Sequence, residues 1–188
     1  MILPIKVKVQ PLTADALRPY GQMLENRQPI FPEVEPGEGR VAIEMQHLKQ
    51  RSDIRHIGQM AIHFSYNQTF IPLRGTMVLI VAPPPRNREA GQEAYELDYE
   101  RVASFALEPG QAAFIEKGVW HNMYMLGTQC CHLNVTRKNP GEGTTQDVSG
   151  RLDVTHSRRP YVEFVDIEKR DNRVIELDLG IIQDVVAG

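Results

Sequence analysis

Two stretches of this chain gather side chains able to move protons and to hold a small polar molecule. The first runs His63-Phe-Ser-Tyr-Asn-Gln68-Thr-Phe70-Ile-Pro72-Leu-Arg74-Gly75, and the second Gly110-Gln-Ala-Ala-Phe-Ile-Glu116-Lys117-Gly118-Val-Trp120-His121. Imidazoles titrate near neutrality and can serve as acid or base, so His63 and His121 are the candidate catalytic groups. Gln68 offers a neutral amide, a poor ligand for a hard cation but suited to a substrate carbonyl or a urea nitrogen. Arg74 and Lys117 are cations that could hold a carboxylate. His132 and Asn134 fall on one face of a later strand by period two and could line the same cavity.

Each residue also has a plainer reading. His121 alone, after a glycine turn, would be an ordinary polar residue, and its pairing with His63 is what favours a site. On strand alternation His63 shares a face with Gln59, Ala61 and Ser65, a small polar face that suits a cavity better than a packed core. Gln68 could simply hydrogen-bond within the fold. Glu116, Lys117 and Arg74 read first as exposed turn charges. Trp120 and Tyr124 alternate with His121, so an inward His121 puts both outward, against another element or a partner subunit. His47, His56 and His156 have no evident partner and read as surface residues.

The elements that must position these groups read as strands almost throughout. Lys6 to Gln10, Val41 to His47, Gln59 to Tyr66, Gln68 to Pro72, Thr76 to Ala82, Arg101 to Leu107, Ala112 to Ile115, Val119 to Leu126 and Cys130 to Arg137 follow one another with turn residues between. Short strands at regular spacing predict an all-β sandwich or barrel. Tyr161 to Ile167 and Arg173 to Leu177 read as two late strands joined at Asp171-Asn172. Thr13 is a helix N-cap before a short helix that Pro19 ends. Residues 26–40, 89–99 and 138–150 read as loops, the second as a polar and mobile insert.

Composition narrows the class. The chain has 188 residues, enough for one well-packed core, and reads as a single domain over 1–188. A net charge of −3 and scattered Lys and Arg exclude the basic stripe of a nucleic-acid binder. The longest apolar run, Met77 to Pro85, is too short to span a bilayer, and no signal-peptide h-region follows Met1. Adjacent Cys130 and Cys131 read as free thiols in a reducing compartment, which places the chain in the cytoplasm.

The two stretches resemble the paired motifs of the cupins. In the first motif, H-x-H precedes a Glu and then a Gly. Here Ala61 stands at the first His position and His63 at the second, Gln68 replaces the Glu, and Gly75 is the glycine. In the second, Gly110, Glu116, Gly118 and His121 hold the G, P, G and H places, with Glu for Pro. Within the cupins the chain is similar to the ureidoglycolate lyase family, whose stretches H-x-x-x-x-Q-x-F-I-P-M-K-G and N-V-W-H match 63–75 and 118–121. The family's start also resembles Pro11-Leu-Thr-Ala-Asp-Ala-Leu-Arg-Pro-Tyr20-Gly21.

The resemblance implies an all-β, double-stranded β-helix or jelly-roll barrel with minor helices. It implies a carbon–nitrogen lyase that releases urea and glyoxylate from ureidoglycolate, within allantoin and purine nitrogen catabolism. His121 would be the base, His63 the acid or a metal ligand, and Gln68 would orient the ureido group. It further implies a divalent metal, nickel or another, on His63 and His121. Alternatives of other classes are a non-catalytic small-ligand-binding cupin and a metal-dependent oxygenase or isomerase on the same barrel. Gln68 in place of the carboxylate argues against the oxygenase. An outward Trp120 and Tyr124, with an open strand edge, predict a homodimer.

Overall fold

A computed structural model describes residues 2–25, 29–32, 39–49, 55–87, 94–127, 129–138, 156–158 and 163–180. Fourteen strands and two short α-helices lie among them. The loops expected at 26–40 and 138–150 fall largely outside the described residues, apart from 29–32, the start of a strand at Arg40, and Lys138, which ends one.

Five strands form the wall of most interest here: β2 (Gly21–Met23), β9 (Ala113–Ile115), β6 (Gln68–Arg74), β11 (Gln129–Lys138) and β3 (Arg40–Lys49), in that order. The longest pairing joins β11 and β3 antiparallel, with Asn134 opposite Glu44. The second sheet has nine strands. Its centre is β5 (Gln59–Ile62), β10 (Trp120–Met125), β7 (Met77–Ala82) and β8 (Ala103–Leu107), flanked by β12 (His156–Arg158) and β13 (Glu163–Asp166) on one side. On the other side lie β1 (Leu3–Pro11), β14 (Arg173–Asp178) and β4 (His56–Ile57).

β7 explains how the sheets pack. All six of its residues are buried. Met77, Leu79 and Val81 join Phe70, Phe105, Leu107, Ile115 and Leu17 in one core. Val78, Ile80 and Ala82 join Trp120, Met60, Ile62, Val9, Ile175 and Leu177 in another. A strand covered on both faces reads as an unbroken β-branched and aliphatic run, which is the sequence Met-Val-Leu-Ile-Val-Ala. The two sheets pack through β7 into an all-β fold with only two short α-helices among the described residues.

Local signals account for the turns. Thr13 caps α1 (Ala14–Leu17), accepting from the Ala16 amide at 3.3 Å. Gly75 sits at φ 75°, where an added Cβ would lie 2.4 Å from the Gln129 carbonyl oxygen. Only glycine tolerates both the angle and the contact. The join expected at Asp171-Asn172 is instead a helix, α2 (Ile167–Asp171), capped by the Asp166 side chain and closed by Asn172 at φ 53°. Asn tolerates the left-handed region well enough to end a helix there.

Residues 89–93 of the insert expected to be polar and mobile lie outside the described residues; of the rest, Tyr95 and Leu97 belong to the core, because both pack on apolar surface around Trp120. Trp120 points away from His121, and of the two coverings expected for it the one observed is another element of this chain, which buries it fully. Its ring lies 6.4 Å from Tyr95, edge-on, and Tyr124 packs against the same cluster. Trp120 is thus covered by this chain, and Tyr124 beside it is half-buried.

Truncating Trp120 to Ala should cost about 3–5 kcal/mol of stability, in the range for large buried aromatics. Denaturant unfolding measures this, and light scattering on the folded variant should give the same mass as wild type. A loss below about 1 kcal/mol would contradict the buried placement.

Candidate active site

The two motif stretches are stitched together by their backbones. The Gly118 amide donates to the His63 carbonyl at 2.7 Å, and Asn67 Nδ2 donates to Glu116 Oε2 at 2.8 Å. Gly118 takes φ 79°, with Phe64 side-chain carbon 3.3 Å from where a Cβ would be, so this approach also depends on glycine. β5 ends at Ile62, and the chain bends at 64–65. His63 follows directly and keeps to the face of Ala61, as the sequence pattern suggested: Ala61 pairs with His121 across β5 and β10, while Met60 and Ile62 go to the core on the other face.

His63 and His121 meet. Their ring centroids are 4.7 Å apart, and both residues are buried. Tyr66 stacks on His63 at 4.1 Å, and Phe70 lies 6.1 Å from His121. His63 is pinned at both ring nitrogens, by the Tyr66 carbonyl at Nδ1 (2.9 Å) and by Gln68 Oε1 at Nε2 (2.7 Å). Gln68 Nε2 then donates to Asn134 Oδ1 at 2.7 Å, and Asn134 Nδ2 to Glu44 Oε2 at 3.4 Å. Glu44 also accepts from Gln46 Nε2 at 3.1 Å and is ion-paired with Lys138. The chain of bonds runs from Lys138 to Tyr66 across four strands and loops.

The direction of this chain follows from chemistry. A carboxylate only accepts, so the Asn134 amide must turn its NH₂ to Glu44 and its oxygen to Gln68. Gln68 in turn presents its oxygen to His63. His63 thus faces acceptors at both nitrogens, and burial holds its pKa below the usual imidazole range, so that in the neutral form its single N–H serves one of the two at a time.

His121 is simpler. The Val119 carbonyl, 3.1 Å away, takes the proton on Nδ1 and leaves Nε2 open to a substrate. Burial, and then the neighbouring His63, push its pKa down to about 3, so it is a neutral imidazole with a lone pair. His132 is fully buried on the inward face of β11, 6.2 Å from Phe70, and burial lowers it to about 4 with Glu44 opposing. Asn134 shares that face and is buried.

The remaining expectations fare differently. Arg74 ends β6 on an exposed position at the turn, opposite Cys131 of β11. Lys117 is half-buried in the 116–118 turn. His56 is exposed, and exposed His47 lies 4.0 Å from Cys131. The side chain of His156 is outside the described residues. Glu44 and Lys138, which no motif pointed to, are part of the site. Their signal was the period-two continuation of His132 and Asn134 to Thr136 and Lys138, and the alternation of β3.

The implied metal can be weighed against these contacts. His63 has no ring nitrogen free for a cation, and Gln68 Oε1 faces His63. No group of three His, Cys, Asp or Glu among the described residues is arranged to hold a metal ion. The residues as placed do not fit a divalent ion on His63 and His121.

The profile of the family described as "Ureidoglycolate lyase" matches residues 33–151, which include the whole Lys138-to-Tyr66 chain and both histidines. This chain belongs to the ureidoglycolate lyase family. A provisionally assigned ureidoglycolate lyase of Agrobacterium fabrum strain C58 is 32% identical over 123 residues, 62% of this chain and 72% of that protein. Among solved structures, a dTDP sugar isomerase of Desulfovibrio desulfuricans G20 is 18% identical, with 69% of this chain and 84% of that one covered. Its TM-score is only 0.39. No helix among the described residues is long and apolar enough to cross a membrane.

Acid should expose the two neutral histidines. Their folded pKa values, about 3 for His121 and about 4 for His132, lie below the unfolded value of about 6.5. Between those limits the unfolded chain binds more protons, so stability is complete above about pH 6.5 and falls as pH drops toward 4 and then 3. Denaturant midpoints across that range should fall, and His132→Gln should flatten the part between pH 6.5 and 4. A flat wild-type profile would contradict neutral burial.

Proposed function

We propose that this protein is a ureidoglycolate lyase, cleaving ureidoglycolate to glyoxylate and urea. The observation that carries the reading is the open Nε2 of a neutral, buried His121 beside a fixed amide chain. The base takes the hydroxyl proton, the C–O bond becomes a carbonyl, and the C–N bond breaks with its electron pair going to nitrogen. That nitrogen must then gain a proton. An imidazolium in so dry a place is a strong acid, so His121 can return the same proton to the departing urea. His63 acts by fixing Gln68 rather than by donating a proton, since both of its nitrogens are engaged. Gln68 and Asn134 orient the substrate.

The substrate carboxylate needs a cation. Of those expected, Arg74 is exposed at a turn and Lys117 is half-buried in another. Lys138, on the same inward face as Asn134, fits better, because Glu44 keeps its other two donors, Gln46 and Asn134, when the lysine swings to a substrate.

Assayed with and without added nickel, manganese or zinc, wild-type protein should release glyoxylate from ureidoglycolate. His121→Ala should lose about 10²–10⁴-fold in turnover. Exposed His56→Ala is the control and should match wild type. Absence of turnover under every condition would move the reading to a ligand-binding cupin, whereas a fully active His121→Ala would remove only the choice of base.

The expected homodimer is part of the same proposal, on a different face. β3 ends its sheet, and its outward row of Val41, Ile43 and Met45 is exposed, Ile43 at 72%. An open edge with an apolar row can pair antiparallel with the same edge of a second copy. Light scattering at micromolar concentration should give twice the chain mass for wild type and the single mass for Ile43→Glu; a monomeric wild type would sink the idea.

A further inference from the structure

The five-stranded sheet carries the bonded chain on one face and a bare apolar surface on the other. Glu44, Asn134 and Gln68 point inward from β3, β11 and β6. Their neighbours along each strand point the other way. Val41, Ile43 and Met45 of β3 are 57%, 72% and 56% exposed, and Leu73 of β6 is 46% exposed. β11 joins the two rows. Its half-buried Leu133 lies opposite Met45 on one side and Ile71 on the other, and Val135 lies opposite Ile43 and Thr69. The surface therefore runs across three adjacent strands.

Charge is confined to its ends. Arg137, opposite Val41, is buried, and its Nη2 donates to the Gly39 carbonyl at 3.1 Å. Arg74 stands at the turn beyond Leu73, opposite Cys131. No Asp or Glu lies among the outward residues of these three strands. A polar partner laid here would lose its hydration without hydrogen bonds in return. The surface that matches this one in chemistry is another of the same kind, and a two-fold contact supplies it from the identical face of a second copy.

We propose that two copies of this chain pack these faces together, sheet on sheet. This rests on the homodimer reading above and assigns its contact to the face of β3, β11 and β6 rather than to the edge of β3. Edge pairing lengthens a sheet and leaves its faces as bare as before, and Leu73 stands two strands away from that edge. Face packing covers all three strands, with the sheets about 10 Å apart and their strands within about 30° of each other.

The area agrees with a dimer. Four aliphatic side chains exposed to this degree put on the order of 400 Å² of apolar surface in one place, within the about 300–600 Å² of a monomer's largest patch. A standard interface buries about 800 Å² per partner, of which about 57% is apolar, or about 450 Å². One copy of this face supplies that share.

A charge placed on β6 separates face from edge. By light scattering at micromolar concentration, wild type should show twice the chain mass and Leu73→Glu the single mass. Sedimentation across a dilution series should find the dimer dissociation constant raised at least about 10-fold in that variant. Leu3, on β1 of the other sheet, is exposed to the same 46%, and Leu3→Glu should keep the double mass. Circular dichroism checks that each variant is folded; if Leu73→Glu is not, Leu73→Lys carries the same readout.

A monomeric wild type overturns the proposal. So does a Leu73 variant that keeps the double mass; if Ile43→Glu is then monomeric, the dimer stands and its contact is the edge. A single mass for Leu3→Glu as well would trace the effect to added charge anywhere on the surface and also overturns it. No arm reads turnover, so the lyase reading stands or falls separately.

Discussion

The site rests on keeping a row of polar side chains buried without leaving them unpaired. Glu44, Asn134, Gln68 and His63 all point into the space between the sheets, where water cannot serve them. An unpaired member would cost about 1–3 kcal/mol, so the chain is held together by the cost of breaking it anywhere. Lys138 anchors one end by charge and the Tyr66 carbonyl the other by position. Glu44, Asn134, Gln68 and His63 are each on a different strand or loop from the next, so the chain also fixes how β3, β11, β6 and the 63–67 segment sit relative to one another.

That ladder divides the histidines into distinct chemical roles. His63 is enclosed by acceptors and serves as an anchor. His121, bound only at Nδ1, keeps a lone pair open. His132 lies on the same wall but outside the chain of bonds. All three are pushed toward the neutral form, burial being the largest cause each time. Burial is thus the means of making three similar side chains available at neutral pH, and hydrogen bonding is what tells them apart.

The packing of the nine-stranded sheet makes this dryness possible. Packing Trp120, Tyr95 and Leu97 behind β10 seals the side of the sheet opposite His121. Val119 and Phe70 seal the near side from within the other core. The acid–base group is therefore set in a strand with apolar packing on both faces, where a single polar side chain meets little competition from solvent.

The sequence by itself determined the class of fold and the two segments that meet. Alternating strands, turn glycines and the spacing of His63, Gln68, Gly75, Gly118 and His121 are local, and local geometry enforces them: Gly75 and Gly118 adopt positive φ where a Cβ would collide. Alternation also placed His132 and Asn134 on one face. On β3 it left the side open: Val41, Ile43 and Met45 are turned outward, which sends Glu44 and Gln46 inward. Period two states which residues share a face but never which face is the inside. That choice belongs to the partner strands, as does the covering of Trp120 by residues 95–97. Tertiary structure alone decided that Lys138, Glu44, Asn134 and Gln68 would become one bonded row, since their order along that row bears no relation to their order in the chain.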